Sequence, residues 1–322
     1  MAALTVVLSA ALGALFFWTR PPWLGGAPAR AAAPPALNIA EWLAGHSADW
    51  RVARLAENPS VLVIEFPSLA EQGAAMNRVA ALLEKADAPR DRVLGDAELA
   101  ALIVRGGDTS QTFYQGHDYD GDGLAHFYAL VQRQGQVLNA KETRLRSVLL
   151  ARGLLAESPD GLRPLGSQAV ITFTATQADD PATPADETVD ERRRESVLLH
   201  ESSHGRFYTR SAYREHCRRF WREMMSEPQR ERMRVYLAGV GYDRRDEELM
   251  LNEAQAFMMH TRDTRAFSAE GVGYTEDELD ELRMRFWRSL PPEAVEPEAA
   301  ASAFKLPGVS AAPAARAAAS AP

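Results

Sequence analysis

The pattern of apolar and polar positions predicts strands and helices in the first half of the chain. The clearest strand is Val61–Phe66, a β-branched run bounded by two prolines, which indicates a buried strand. Residues 169 to 176 alternate apolar residues with threonines and predict a half-buried strand. A third strand is predicted at residues 127 to 132, and helices are predicted at residues 38 to 57, 69 to 85, 96 to 104 and 141 to 155.

The second half of the chain has helical periodicity and several recognisable helix caps. Its first helix is expected to begin at Val189, after the capping box Thr188 to Glu191, and to end near Gly205. Further helices are predicted at residues 211 to 225, from Ser226 to Gly239, from Asp243 to Thr261 and from Thr275 to Pro291. The predicted fold class is therefore α+β, with a small mixed sheet in residues 37 to 187 followed by a mainly helical part in residues 188 to 291.

The two ends of the chain differ in composition from the part between them. Residues 4 to 18 form a short apolar run inside an Ala-rich leader, so residues 1 to 36 are interpreted as a signal peptide or membrane anchor. We expect the protein to be exported, either periplasmic or membrane-anchored, in preference to cytosolic. Residues 292 to 322 are rich in Ala and Pro and are expected to be disordered.

Composition and charge exclude one class of function. The chain has 322 residues, of which 46% are hydrophobic and 25% charged, as in globular proteins. A net charge of −8 argues against nucleic-acid binding, which needs a basic surface. The basic run Arg192 to Arg194 is therefore interpreted as a solvated helix face. The single cysteine, Cys217, is interpreted as a core residue rather than a nucleophile.

The sequence His-Glu-Ser-Ser-His at residues 200 to 204 carries the candidate chemistry. On a helix, His200 and His204 lie on one face, where their imidazoles can bind one metal ion. Zn²⁺ is the expected ion, because it accepts neutral imidazole and forms catalytic sites with three protein ligands and water. Glu201 is then placed to act as the general base that takes a proton from that water.

A third protein ligand is needed, and Glu253 is the candidate. A site with a third histidine ten residues after His200 is excluded, because that position is Arg210. Glu253 stands in the apolar helical run that begins at Leu249, in the sequence Asn-Glu-x-x-Ala. An unpaired carboxylate buried there would cost several kcal/mol, whereas a shared metal ion would offset this cost.

These motifs resemble those of the gluzincin clan of zinc metallopeptidases over about residues 188 to 262. The resemblance implies a zincin-like fold, a peptide or protein substrate, the ligands His200, His204 and Glu253, and Glu201 as general base. It also implies that strand 169 to 176 is the substrate-facing edge of the sheet. The chain departs from the thermolysin-like pattern at Phe257, where an aspartate often supports a ligand histidine. Asp246, Glu247 and Glu248 are possible substitutes for that aspartate.

Several residues remain open to more than one interpretation. Asp118, Asp120 and Asp122 match half of a calcium-binding loop, but an Asp/Gly-rich hairpin turn explains them as well. Further residues that could belong to the site are His117 and His126 as parts of its wall, and His260, Tyr242 and Tyr274 as oxyanion partners. For His260 the alternative is an interaction with the helix dipole.

Two other functions compete with the peptidase interpretation. A zinc-stabilised envelope scaffold or binding protein would keep the metal without turnover, although it would not need Glu201. A calcium-binding envelope protein would depend on the acidic residues 118 to 122. Peptides, peptidoglycan stems and whole proteins all remain possible substrates.

Overall fold

A mixed five-stranded sheet forms the centre of the structure. The computed structural model describes residues 35 to 159, 161 to 183 and 185 to 294. The strands are β1 (Ala36–Leu37), β2 (Arg51–Leu55), β3 (Val61–Phe66), β4 (His117–Asp120), β5 (Leu155–Ser158), β6 (Gly161–Pro164) and β7 (Ala169–Thr174). The sheet has the order β1-β2-β3-β7-β4, and β5 and β6 form a separate hairpin. Parallel pairs (β1 with β2, β3 with β7) and antiparallel pairs (β2 with β3, β7 with β4) occur together.

The two inner strands, β3 and β7, are buried at every position. They pair in parallel from Val61 opposite Ala169 to Phe66 opposite Thr174. Their β-branched and aromatic side chains suit a strand that is covered on both faces. Strand β4 pairs with β7 on one side only and is therefore an edge strand.

Helices cover both parts of the chain. Those of the first half are α1 (Ile39–Leu43), α2 (Leu69–Leu83), α3 (Asp96–Arg105), α4 (Gly121–Gln134) and α5 (Ala140–Ala151). Those of the second half are α6 (Glu191–Thr209), α7 (Ser211–Arg219), α8 (Glu227–Gly239), α9 (Glu247–His260), α10 (Ala269–Val272) and α11 (Glu276–Arg288). A π-helical turn, Phe220–Met224, extends α7, and a 3₁₀ turn, Pro292–Ala294, follows α11.

Helix α6, which carries the HExxH sequence, packs against the sheet and against α9. A Cβ at Gly205 would lie 2.8 Å from Val61 Cγ2 and 3.5 Å from Ile171 Cγ2, so glycine permits the close approach of α6 to β3 and β7. Gly205 was predicted to end the helix, but α6 continues to Thr209. Gly205 is needed for packing against the sheet. The local sequence alone did not distinguish this role from that of a residue that ends a helix.

Many of the predicted elements are confirmed. Strand β3 has the predicted bounds, and α2 and α3 lie within two residues of theirs. The Ser226 and Thr275 capping boxes both form at the starts of α8 and α11. The α+β class with a small mixed sheet is confirmed. All strands of the sheet precede residue 175, and the regular elements after it are helical. Cys217 is buried, as predicted.

Other predictions were wrong. Residues 38 to 57 contain α1 and β2 rather than one helix, and residues 127 to 132 lie in α4 rather than in a strand. Helix α6 begins at Glu191 and is capped by Asp190, two residues later than predicted. Helix α9 is capped by Asp246 and not by Asp243. Strand β7 is fully buried and lies inside the sheet, so the substrate-facing edge cannot be β7.

The basic run on α6 was also misinterpreted. Arg194 is fully buried, and its guanidinium donates to Glu65 Oε1 at 2.6 Å and to the carbonyl of Trp42 at 2.9 Å. Arg193 is buried as well. These two side chains join α6 to the sheet and its surroundings, instead of forming a solvated face.

The predictions for the chain ends concern residues that the structure does not describe. The leader, residues 1 to 36, lies outside the described residues except for its last two, and the tail lies outside them after Ala294. Among the helices of the described residues, we find none with the length and apolar character needed to cross a bilayer.

The close packing at Gly205 can be tested by adding a single methyl group. We expect Gly205→Ala to lower the free energy of unfolding by about 1 to 2 kcal/mol, because overpacking against Val61 outweighs the better helix propensity of alanine. Urea-induced unfolding measures this change. The matched control is Gly239→Ala in α8, where an added Cβ meets no atom within 4 Å and stability should not fall. Equal stability of the two variants would contradict the packing argument.

Candidate metal centre

Helices α6 and α9 bring the predicted metal ligands together. His200 Nε2 and His204 Nε2 are 3.0 Å apart, because residues four apart on a helix share a face. Glu253 on α9 places one carboxylate oxygen 3.7 Å from His200 Nε2 and the other 3.7 Å from His204 Nε2. Such spacings suit ligand atoms that each lie about 2 Å from one ion. These three buried residues, the His-His-Glu triad, could hold a metal ion.

Hydrogen bonding to Thr261 sets the tautomer of His200. The Thr261 hydroxyl donates to the Ala256 carbonyl at 3.2 Å. It can therefore accept at 2.8 Å only from a protonated His200 Nδ1. The lone pair of His200 then lies on Nε2, which faces the triad, as a metal ligand requires. The aromatic ring of Phe257 packs edge-on against His200, with centroids 4.7 Å apart.

Asp118 on edge strand β4 adds a second group of possible ligands. Its Oδ1 lies 3.6 Å from His204 Nδ1, on the side of the imidazole opposite the triad. Asp118, Glu201 and His204 are all buried and also lie close enough together to hold an ion. Asp118 forms a hydrogen bond with Tyr208, and one of its carboxylate oxygens lies within 4.8 Å of an oxygen of Glu201. Asp118 therefore lies close to both the ligand histidine and the predicted general base.

Burial keeps the two imidazoles neutral. It lowers the pKa of His200 to about 3. It also lowers the pKa of His204 to about 4, although the charge of Glu253 acts in the opposite direction. Neutral imidazole is the form that coordinates a metal. At neutral pH both histidines are therefore ready to bind one.

The same burial raises the pKa of four neighbouring carboxyl groups. These groups, the buried carboxylate cluster, are Glu84, Asp118, Glu201 and Glu253. Burial is the main cause for each, and the charge of Glu253 further raises the pKa values of Glu84, Asp118 and Glu201. Glu84 reaches a pKa of about 8. Because the adjacent histidines are neutral, a bound cation would stabilise the ionised cluster.

A cleft of about 700 Å³ opens onto the site. His200 and Glu201 line the cleft. The segment before β4 and the loop after α8 also line it. Gly116 lies directly against Glu201, since a Cβ there would be 2.2 Å from Glu201 Oε1. Among the described residues, none forms a hydrogen bond with Glu201 Oε2. Glu201, which lines the cleft, therefore has one buried carboxylate oxygen without a hydrogen-bond partner among these residues.

The acidic stretch at residues 118 to 122 is neither a hairpin turn nor a converging calcium loop. It is the junction between β4 and α4, where Asp120 caps the helix by accepting from Gly123 N at 2.8 Å. Asp118 points toward the metal centre, and Asp122 lies in the first turn of α4. The change from strand to helix at Asp120 explains why the three side chains diverge.

Of the two histidines near that stretch, one lies close to the site. His117 is buried, contacts Thr172 Oγ1 at 3.2 Å and packs against Tyr114. Burial lowers its pKa to about 3. His126 is exposed on α4 and does not line the cleft.

The other candidate residues are only partly brought to the site. Tyr242 lines the cleft and forms a hydrogen bond with Glu253. Tyr274 instead donates to the Gln229 carbonyl at 2.7 Å. His260 contacts the Tyr213 hydroxyl at 3.1 Å and is not part of the cleft lining.

The proposed substitutes for the missing aspartate lie elsewhere. Asp246 caps α9, Glu247 accepts from Trp221, and Glu248 pairs with Arg218. Thr261 and Asp118 contact the ligand histidines in their place. The spacing of residues in the sequence did not indicate that Asp118 or Glu84 lies near the ligand histidines. Strand β4 and the end of α2 reach the site only through tertiary packing.

Comparison with protein-family models, curated proteins and solved structures finds no match to this chain. The metal centre must therefore be interpreted from its own geometry.

Metal binding can be measured directly. We expect metal-stripped protein to take up about one Zn²⁺ per chain, and His200→Ala or Glu253→Gln to weaken this binding by about 100-fold or more. Competition with a chromophoric chelator measures the affinity. His126→Ala is the control, since this exposed histidine should leave the affinity unchanged. Wild-type affinity in His200→Ala would contradict the triad as the binding site.

The raised pKa of Glu84 predicts a pH-dependent stability. The folded metal-free protein keeps a proton on Glu84 up to about pH 8, whereas the unfolded chain releases it near pH 4.5. Its contribution to stability is therefore lost as the pH rises between these values. Between about pH 6.5 and 8 the buried histidines are largely neutral in both states and contribute little.

We accordingly expect Glu84→Gln to flatten the fall in stability between about pH 6.5 and 8. Urea-induced unfolding in the presence of a chelator measures it at several pH values. Glu98→Gln is the control, because Glu98 is exposed and arginine and backbone hydrogen bonds lower its pKa to about 2, below this range. An unchanged pH slope in Glu84→Gln would show that Glu84 does not carry the effect.

Proposed function

We propose that this protein is a zinc-dependent hydrolase that cleaves peptide bonds, with Glu201 as general base. The observation that carries the proposal is the convergence of the His-His-Glu triad beside Glu201 in one cleft. A purely structural metal site would have no need of a further carboxylate residue in the cleft lining beside the triad. The presence of Glu201 therefore favours a catalytic site.

The donor set supports zinc as the metal. Two imidazole nitrogens and one carboxylate oxygen are typical of catalytic zinc sites, which leave a position for water or substrate. The neighbours of the candidate ligands support the same assignment: Thr261 orients His200, Asp118 faces His204 Nδ1, and Tyr242 contacts Glu253. Such contacts hold ligands in the orientation that a metal requires.

The chemistry follows from these positions. Zinc, when bound, would polarise the substrate carbonyl and lower the pKa of a water molecule. Glu201 accepts a proton from that water through its carboxylate group, and then passes the proton to the leaving amine. Asp118 lies beside this carboxyl group, with oxygens of the two residues within 4.8 Å of each other.

A zincin-like fold and export of the protein belong to this proposal. The fold is supported by the position of α6, which carries both histidines and packs against a mixed sheet whose edge strand, β4, contributes Asp118. In such an arrangement the exposed side of β4 and the residues before it would face the substrate. Export, with or without membrane association through residues 4 to 18, is supported by the leader composition alone.

The proposal is tested by separating metal binding from turnover. We expect Glu201→Gln to keep Zn²⁺ and to lose hydrolysis by about 10²- to 10⁴-fold, because the neutral amide cannot accept the proton. Mass spectrometry of a broad peptide library, with and without a chelator, measures cleavage. Glu195→Gln is the control, since Glu195 lies on α6 but pairs with Arg262 outside the triad.

Two outcomes would change the interpretation. If Glu201→Gln cleaves as fast as wild type, Glu201 is not the base. If wild-type protein binds zinc but cleaves no peptide, the non-catalytic scaffold replaces the peptidase as the proposed function.

A further inference from the structure

Lys85 is a buried cation in the wall of the cleft that also contains His200 and Glu201. It follows the C-terminus of α2 and is 8% exposed. Its Nζ lies over the rings of Phe113 and Tyr114, 4.5 and 4.4 Å from their centroids. The hydrogen bond recorded for this ammonium group, to the Val240 carbonyl, is long at 3.4 Å. Two of its three donors are therefore available to a ligand.

Among the described residues, Lys85 forms no direct ion pair. In the described part of the chain, no carboxylate oxygen lies within 4.0 Å of Lys85 Nζ. Two arginines of the same cleft, the buried Arg193 and the exposed Arg265, differ in this respect. Arg193 pairs with Asp186, and Arg265 pairs with both Asp190 and Asp263. Buried lysines are usually paired, so an unpaired one beside a candidate active site indicates a missing anion.

The surroundings of Lys85 hold its side chain in one place. Gly241 has a φ of 97°, and a Cβ there would lie 2.8 Å from Lys85 Nζ, so the loop leaves room for the ammonium group. Lys85 forms an isolated antiparallel bridge with Tyr242. The backbone hydrogen bonds from Ala86 N to Gly241 O and from Asp243 N to Glu84 O flank that bridge.

This bridge also connects Lys85 to the metal centre. Tyr242, its partner across the bridge, forms a hydrogen bond with Glu253 of the His-His-Glu triad. The ring of Tyr114 contacts Lys85 and also packs near Tyr242, with centroids 6.0 Å apart. The position of the ammonium group is therefore fixed relative to the metal ligands.

We propose that Lys85 binds a carboxylate of the substrate, so that the enzyme selects peptides with a negative charge near the scissile bond. This inference rests on the proposed function, since it assigns a substrate class to that site. The carboxylate could be a free C-terminus or an Asp or Glu side chain, which share the same chemistry. A charge-assisted hydrogen bond to a buried ammonium group is strong enough to determine preference.

The electrostatics around Lys85 agree with this assignment. Burial lowers the pKa of Lys85, and the charges of Asp108 and Glu84 oppose this only in part. Asp108 is held by Thr112, whose hydroxyl donates to it at 3.3 Å. A substrate carboxylate would add the close negative charge that these residues do not provide.

Binding to the inactive protein tests the proposal independently of catalysis. The probes are four fluorescein-labelled peptides of one length and sequence, with a free or amidated C-terminus and with Glu or Gln side chains. Their affinities for zinc-loaded Glu201→Gln protein are measured by fluorescence anisotropy. We expect at least one carboxylate-bearing peptide to bind about 10- to 100-fold more tightly than the fully neutral peptide. Comparison of the four peptides shows which carboxylate is recognised.

Neutral replacements of Lys85 should remove this preference. In the same background, Lys85→Met and Lys85→Gln remove the charge and shorten the side chain by only one atom, and both should reduce the affinity for the acidic peptide to that for the neutral one. Arg105→Gln is the matched control, because Arg105 is an exposed cation of the same cleft and should not affect the preference. Circular dichroism confirms that each variant is folded.

The outcomes separate this inference from the proposed function. If wild-type protein hydrolyses neutral and acidic peptides equally well, the peptidase proposal stands and the role of Lys85 is overturned. If the preference depends on Lys85 but nothing is hydrolysed, the carboxylate site stands without the peptidase. Equal affinities for all four peptides, or no binding of any of them, would overturn the role of Lys85.

Discussion

The burial of four carboxyl groups beside two neutral imidazoles is the constraint on which the centre of this protein depends. Glu84, Asp118, Glu201 and Glu253 are each at most 5% exposed. Ionising all of them without a counter-charge would be costly in a medium of low polarity. Lys85 and Arg90 lower the pKa of Glu84, but burial still raises it to about 8. A divalent cation held by the His-His-Glu triad resolves this conflict, whereas protonation of the carboxyl groups resolves it only when no metal is bound.

The sheet, rather than α6 alone, holds this arrangement in place. Gly205 lets the helix approach β3 and β7, and the buried pair of Arg194 with Glu65 joins the helix to β3 at its other end. Removal of one partner of such a pair would leave an uncompensated buried charge, which costs several kcal/mol. The pair therefore specifies the register of α6 on the sheet. That register determines where His200, Glu201 and His204 lie.

The sequence was sufficient to predict the candidate metal ligands, because they stand in short motifs typical of metal binding. His200, His204 and Glu253 converge as expected, because helical periodicity places the histidines together and an acidic residue in an apolar run needs a partner. Strand β3 was equally clear from its β-branched residues. The fold class followed from the same periodicities.

What the sequence did not reveal depends on packing between distant segments. Asp118 was interpreted as part of a turn or calcium loop, since its Asp/Gly-rich surroundings resemble both, yet it lies on an edge strand that faces His204. Gly205 has the local pattern of a helix end, and only contact with Val61 shows its role. Arg194 lies in a basic run typical of a solvated face, and its partner Glu65 is 129 residues away.

The position of Asp118 also accounts for Phe257, which stands where the thermolysin-like pattern often has an aspartate. An aspartate one helical turn after the third ligand would hold a histidine from α9, the same helix that provides Glu253. Here Phe257 packs against His200, while Thr261 and Asp118 contact the two ring Nδ1 atoms. Support for His204 thus comes from the sheet, through the strand that also bounds the cleft. Because Asp118 lies close to both His204 and Glu201, a displacement of β4 would disturb a candidate metal ligand and the proposed general base together.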